Sequence, residues 1–215
     1  MANKYDLRFT ETRYNDKKID IDLYEISTGI VFNDFRTALK EIYKSKARPI
    51  SLEENAGFRM LKRRNSNLSK VGNLTREAFI RLPNGEIYFS YSPYLAEENP
   101  KLDTLYNCID TAFKLGESDF YVNTDELHLH PFTKRAFGKN AENYGKFLEE
   151  TKIKKIRIRM FNNTASDKPL ILQSWLSCLE AGSEILGVEI DNLNFPRPGL
   201  RFIQEKIREP EHSFL

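Results

Sequence analysis

Apolar and polar residues alternate in the first third of the chain in a way that predicts two strands followed by a helix. The strand candidates are Tyr5–Thr10 and Ile19–Ile26, where alternate side chains are apolar. The apolar spacing then changes to that of a helix, from Phe35 to about Lys46. A second helical face begins at Leu102 and predicts a helix that ends near Gly116.

Two short motifs add local predictions. Ser51-Leu52-Glu53-Glu54 matches a capping box, in which a hydroxyl and a carboxylate each accept from a free helix N–H group, so a helix should start there. Asn84-Gly85 lies between two apolar runs and predicts a tight hairpin, because these residues accept the positive φ angles that the turn requires. Residues 62–76 show no periodicity and predict an exposed loop.

The second half of the chain contains three segments with one shared apolar spacing. They are Leu127–Phe132, Ile156–Phe161 and Val188–Leu193. Each is predicted to be a strand followed by a helix, in units of roughly 30 residues, which meets or slightly exceeds the leucine-rich-repeat range. The helices of this array are predicted at Ala141–Thr151, Leu170–Ala181 and Gly199–Arg208.

These patterns predict an α/β protein in two regions that could form one continuous domain. Residues 1–100 are expected to form a β-rich α+β part with its hairpin at 78–90. Residues 101–215 are expected to form a strand–helix array that resembles leucine-rich repeats, with a parallel sheet. A plain parallel α/β sheet with unequal crossovers is the alternative.

Part of this array resembles a known family. The segments Lys154–Ile158, Leu172–Gly182 and Ile185–Ile190 are similar to the F-box-associated (FTH) domain of nematode F-box proteins, over roughly residues 147–192. The resemblance implies a basic and apolar strand, a helix, a break and a further strand. It also implies the ubiquitin-ligase context of F-box proteins, and no functional residue is carried over from it.

The composition narrows the class of protein. The chain has 215 residues, 40% of them hydrophobic and 12% aromatic, with a formal net charge of +2, which is ordinary for a globular protein with a buried core. No apolar run approaches the roughly 20 residues that cross a bilayer, so we expect no membrane partner. The start, Met1–Asp6, lacks an apolar signal region, so we expect an intracellular protein, cytoplasmic or nuclear.

The outward face of the predicted sheet is the first candidate for a binding site. Cross-strand charge pairs are expected between Arg157 and Glu189 and between Arg159 and Asp191. Such a face either recognises a protein partner or is simply solvated. The partner-binding candidates are Lys155, Arg157, Arg159, Glu189, Asp191, His128 and His130.

The histidine pair also has the spacing of two metal ligands. His128 and His130 would lie on one side of a strand, the spacing by which two imidazoles converge on zinc. A zinc site needs at least three protein ligands, and the remaining histidine, His212, lies in the charged C-terminal tail. We therefore predict no metal site and no cofactor.

A basic segment from Arg59 to Arg81 supports an alternative function. A cluster of exposed cations there would neutralise phosphates, so the chain could bind nucleic acid with a strong dependence on salt. The alternative is a solvated basic loop that binds no partner. The nucleic-acid-binding candidates are Arg59, Lys62, Arg63, Arg64 and Lys70.

The lack of familiar catalytic motifs favours a protein that is not an enzyme. The sequence has no Gly-x-Ser-x-Gly elbow, no phosphate-binding glycine loop and no Cys-x-x-Cys pair. The first hypothesis is a protein-interaction module or adaptor that binds its partner through the outer sheet face. Nucleic-acid binding is the second, and an enzyme acting on a phosphorylated substrate through Arg157, Arg159 and the histidines is the third. The oligomeric state stays open.

Overall fold

A mixed β-sheet is the framework of the protein. The computed structural model describes residues 8–14, 24–31, 35–62, 67–160, 166–179, 183–191 and 199–207. Eleven described strands join in this sheet. They are β1 (Arg8–Tyr14), β2 (Tyr24–Val31), β3 (Arg48–Pro49), β4 (Asn73–Arg81), β5 (Ile87–Tyr91), β6 (Phe113–Lys114), β7 (Tyr121–Asn123), β8 (Lys155–Met160), β9 (Leu170–Leu176), β10 (Ile185–Asp191) and β11 (Gly199–Ile207).

The strand order joins both halves of the chain. The main path is β1-β2-β11-β4-β9-β10-β8-β7, with β3 beside β11, β5 beside β4 and β6 beside β5. β11 pairs antiparallel with β2 and parallel with β4, while β8 and β10 form a second parallel pair. The remaining pairs are antiparallel, so the sheet is mixed. The combination of this sheet with helices confirms the predicted α/β class.

Six α-helices and four short 3₁₀ turns are described between the strands. Within the described residues, no helix combines the length and the apolar character that crossing a bilayer requires. The helices are α1 (Phe35–Lys44), α2 (Leu52–Lys62), α3 (Asn67–Lys70), α4 (Leu102–Asp110), α5 (Pro131–Phe137) and α6 (Ala141–Glu150), and the 3₁₀ turns span Pro93–Leu95, Glu117–Phe120, Thr124–Glu126 and Gly138–Asn140.

The larger core lies between one face of the sheet and a layer formed by α2, α5 and α6. Phe79 of β4 contacts Phe89 of β5, with 5.1 Å between ring centroids, and Phe89 contacts Phe132 of α5 at 5.3 Å. Tyr144 of α6 is fully buried in the same cluster. Burial of such aromatic surface is the main stabilising contribution, at about 25 cal/mol per Å² of apolar surface.

The opposite face of the sheet is covered by α1. Phe35 and Ile42 of α1 are buried against Leu200 and Phe202 of β11. The next residue along, Ile203, belongs instead to the cluster that includes Phe58 of α2. β11 is therefore a central strand whose alternate side chains enter two different cores.

The capping box, the hairpin and two of the predicted helices are confirmed, whereas the exposed loop predicted over residues 62–76 is wrong where the structure describes it, because α3 and the buried start of β4 lie there. The Ser51 hydroxyl accepts from the Glu54 N–H group at 3.0 Å and a Glu54 carboxylate oxygen accepts from the Ser51 N–H group at 2.9 Å, which is the predicted capping box of α2. β4 and β5 form the predicted hairpin, and Gly85 has a φ of +88°. The helices predicted from Phe35 and from Ala141 are present as α1 and α6.

Two predicted helices are wrong. Leu170–Ala181 contains strand β9, and Gly199–Arg208 contains strand β11, so the described residues between β8 and β11 have no strand–helix alternation. A strand with apolar residues on both faces can reproduce the i, i+3, i+7 spacing of a helix, and Leu200, Ile203 and Ile207 do so. The strand–helix–strand order implied by the FTH resemblance is not present there either.

Gly145 of α6 gives a test of this packing. A Cβ atom at this position would collide with the carbonyl oxygen of Thr124, in the 3₁₀ turn that α6 crosses. Helix propensity alone would make Gly145→Ala stabilising, but we expect the collision to destabilise the protein by about 1–3 kcal/mol. Urea denaturation measures this difference.

Gly116→Ala is the matched control for that variant. Its Cβ atom would lie 3.6 Å from a carboxylate oxygen of Asp119, an ordinary contact, so the change should cost less than about 1 kcal/mol. Equal stability of the Gly145→Ala variant and the wild type would contradict the close approach of α6 to the turn.

Candidate functional site

The outer face of β7, β8 and β10 carries two rows of aligned residues. Tyr121, Arg157 and Gly187 are register partners in one row. The residues between the rows, such as Ile156, are buried toward the helical layer, so the rows face away from the core. The second row consists of Asn123, Lys155 and Ile185.

Tyr121 and Arg157 form the most distinctive pair of this face. The Arg157 guanidinium carbon lies 5.3 Å from the centroid of the Tyr121 ring, within cation–π distance. Tyr121 is 52% exposed and Arg157 is half-buried. Because Gly187 carries no side chain, the row continues without a bulky neighbour on the β10 side. A tyrosine and an arginine held this way are typical anchors of protein interfaces.

The predicted placement of Lys155 and Arg157 on the outer face agrees with this geometry, but the predicted cross-strand pairing is wrong. Arg157 pairs with Gly187, and Arg159 pairs with Glu189. The repeat alignment placed Ile156 level with Val188, whereas the structure places it level with Leu186. A shift of two residues preserves which face each side chain occupies, so alternation alone could not detect it. Asp191 pairs with Gln173 of β9, and the side chains of Arg159, Glu189 and Asp191 lie outside the described residues.

The histidines do not lie on a strand. The predicted strand Leu127–Phe132 is a turn followed by the start of α5, with Pro131 at the first helical position. Leu127 is buried but Leu129 is 66% exposed, which breaks the expected alternation. Proline at N1 is the signal that could have indicated a helix start.

His128 and His130 have different surroundings. His128 is exposed, whereas the His130 Nε2 atom lies 3.5 Å from a carboxylate oxygen of Asp119, which is itself buried. In the part of the chain that the structure describes, no group of three or more His, Cys, Asp or Glu side chains could bind a metal ion. The two imidazoles therefore do not share one site on the outer sheet face.

The basic segment from Arg59 to Arg81 is not a loop where the structure describes it. Arg59 lies in α2 and is fully buried, and residues 73–81 form β4. Of the cations in this segment whose side chains are described, Lys70 is exposed and Arg76 and Arg81 are partly buried. Arg63 and Arg64 lie outside the described residues, as does the side chain of Lys62.

A polar cleft that the sequence did not reveal lies at the N-terminus of α2. It has a volume of about 270 Å³, and its floor carries Glu77 of β4. A Glu77 carboxylate oxygen accepts from the Leu52 N–H group at 3.0 Å, and the other lies 3.7 Å from Nε of Arg76. The Arg76 guanidinium in turn stacks over the Tyr91 ring at 4.8 Å, and α5 contributes two further cations, Lys134 and Arg135, to the lining.

Glu77 is a buried titratable group of this cleft. Burial raises its pKa to about 7, against an ordinary value of 4.5, although Arg76 and the Leu52 N–H group both favour the charged form. A carboxyl group with such a pKa at the floor of a cleft is a feature that functional sites often share. No short motif marks it in the sequence, because Leu52 and Glu77 come together only through the fold.

The pH dependence of stability tests this environment. Because the folded-state pKa exceeds the ordinary value, the folded protein binds the extra proton between pH 4.5 and 7, so stability should fall as pH rises through that range. Glu77→Gln should remove this fall and should stabilise the protein at pH 8 by on the order of 2 kcal/mol. Urea denaturation at pH 5 and pH 8 measures both effects.

The exposed Glu150→Gln change is the control. Parallel pH profiles of stability for the wild type and the Glu77→Gln variant would contradict the raised pKa of Glu77.

Comparisons with known proteins identify a similar fold but no family. No family model matches the sequence, and no curated protein matches it. A solved structure described as "Accommodation of massive sequence variation in Nanoarchaeota by the C-type lectin fold" superposes with a TM-score of 0.57 and 16% sequence identity, over 88% of this chain and 100% of that chain. At this identity the similarity shows the fold alone: the chain is similar in architecture to a C-type lectin fold.

Proposed function

We propose that this protein is a non-enzymatic protein-interaction module that binds an acidic protein surface through the outer face of β7, β8 and β10. The observation that carries the proposal is the exposed Tyr121 ring stacked with Arg157. Lys155 adds an exposed cation in the adjacent row, and Ile185, 41% exposed, adds apolar surface. Aromatic, arginine and apolar groups on a rigid sheet are the composition that protein interfaces favour.

The similar solved structure supports this proposal at the level of the scaffold. Its description says that the C-type lectin fold accommodates massive sequence variation. A scaffold that tolerates many different surfaces suits a binding module. The leucine-rich-repeat array is no part of the proposal, because two of its connecting segments are strands. The FTH resemblance and its ubiquitin-ligase context stay predictions.

The two other hypotheses have less support. Arg59 is buried, so it is not accessible to the phosphates of a nucleic acid bound at residues 59–81. An enzyme that uses Arg157 with the histidines would need these groups in one site, whereas Arg157 stacks on Tyr121 and His130 pairs with Asp119. Both stay predictions, and nucleic-acid binding would show as an oligonucleotide affinity that falls steeply with salt.

Charge reversal at Arg157 tests the proposal. In affinity purification with quantitative mass spectrometry, Arg157→Glu should reduce recovery of a stoichiometric partner at least tenfold, because it repels an acidic surface and removes the stacking on Tyr121. Circular dichroism should show an unchanged fold.

Lys146→Glu is the matched control. Lys146 is exposed on α6, on the opposite side of the sheet, so this variant should retain the partner. Equal recovery of the same partner by the wild type, the Arg157→Glu variant and a Tyr121→Ala variant would contradict the proposed surface.

A further inference from the structure

Two arginines are buried between α2 and the sheet. Arg59 of α2 is 0% exposed and Arg201 of β11 is 1% exposed. Neither forms an ion pair with any carboxylate in the part of the chain that the structure describes. Burying an ionised group is strongly unfavourable unless an opposite charge accompanies it, and two like charges in one region make the cost larger.

The two guanidinium groups are anchored side by side. Arg59 donates from one Nη atom to the carbonyl oxygen of Leu176 at 3.3 Å, and Arg201 donates from Nε to Oδ1 of Asn73 at 2.6 Å. Leu176 and Asn73 are register partners across β9 and β4, and neighbouring strands lie about 4.8 Å apart. Burial lowers the pKa of Arg201, and the nearby positive charge of Arg59 lowers it further.

Several polar atoms beneath α2 have no hydrogen-bond partner. They include Nε and Nη1 of Arg59 and one Nη atom of Arg201. Asn55, one turn before Arg59 on α2, has both amide atoms buried without a partner, and the buried Tyr144 hydroxyl of α6 lies beside the Arg59 guanidinium. Native proteins leave few buried polar groups unpaired, so a cluster of them indicates a bound ion or water. Because the cluster is rich in donors and carries two positive charges, its occupant should be negative.

We propose that this protein binds a small oxyanion of the phosphate or sulfate class between Arg59 and Arg201, beneath α2. The planar guanidinium group matches the geometry of such oxyanions and can donate two parallel hydrogen bonds to one of them. Deprotonation does not remove the buried charge, since the pKa of Arg201 is lowered only to about 10. The anion would tie α2 to β11 and so would be part of the folded structure.

Equilibrium dialysis of the full-length wild-type protein against radiolabelled inorganic phosphate tests the site directly. The protein is first dialysed into sodium gluconate, whose anion is bulky. We expect about one phosphate per chain, displaced by sulfate and less effectively by chloride. Absence of saturable phosphate binding would overturn the proposal, whatever the behaviour of any variant.

Thermal unfolding assigns the site to these residues. At constant ionic strength, phosphate at a hundredfold excess over its Kd should raise the wild-type Tm by about 5–10 °C, and the rise should saturate. Arg201→Met should abolish the saturable rise while folding in gluconate, because methionine removes one of two like charges and keeps an apolar stem. Lys146→Met, an exposed change on α6, should keep the rise. A rise that is unsaturable, or equal in all three proteins, would reflect a general salt effect and would contradict the site.

Discussion

The rest of the fold depends on the pairing and two-sided burial of β4. This strand pairs with β5, β9 and β11, and so connects the N-terminal strands to the C-terminal ones. Leu74 enters the core beneath α1, whereas Phe79 enters the core beneath α2, α5 and α6. Because most residues of β4 are buried on both faces, its buried polar groups need partners within the protein.

The partners that β4 obtains determine where the neighbouring elements lie. Its register with β9 shifts between Leu74 and Ala78, and the Gln173 amide of β9 donates to the carbonyl oxygens of Thr75 and Glu77 there. The Glu77 carboxylate accepts from the first helical N–H group of α2 and so fixes the start of that helix. A carboxyl group with a raised pKa and a pair of buried arginines thus lie on the same side of the strand, under the same helix.

The sequence predicted those elements whose chemistry is local. The hairpin at Asn84-Gly85 and the capping box at Ser51 depend on residues within four positions of one another, and both are present. β9 and β11 were missed because a strand buried on both faces loses the alternation that identifies strands. Lys155 and Arg157 were correctly expected on an outer face, but Tyr121 was missed because β7 has only three residues. The burial of Arg59 could not be foreseen, because arginine is almost always exposed.

The proposed function requires that partners contact the outer face of β7 and β8 rather than the cleft or α4. Hydroxyl-radical footprinting tests it directly, because Tyr91, Tyr106 and Tyr121 are 53%, 51% and 52% exposed and serve as matched reporters. On binding a partner, oxidation of Tyr121 should fall severalfold, while oxidation of Tyr91 in the cleft and Tyr106 on α4 stays unchanged. If partner binding lowers the oxidation of Tyr91 or Tyr106 while Tyr121 stays fully reactive, the proposed binding face on β7 and β8 is contradicted.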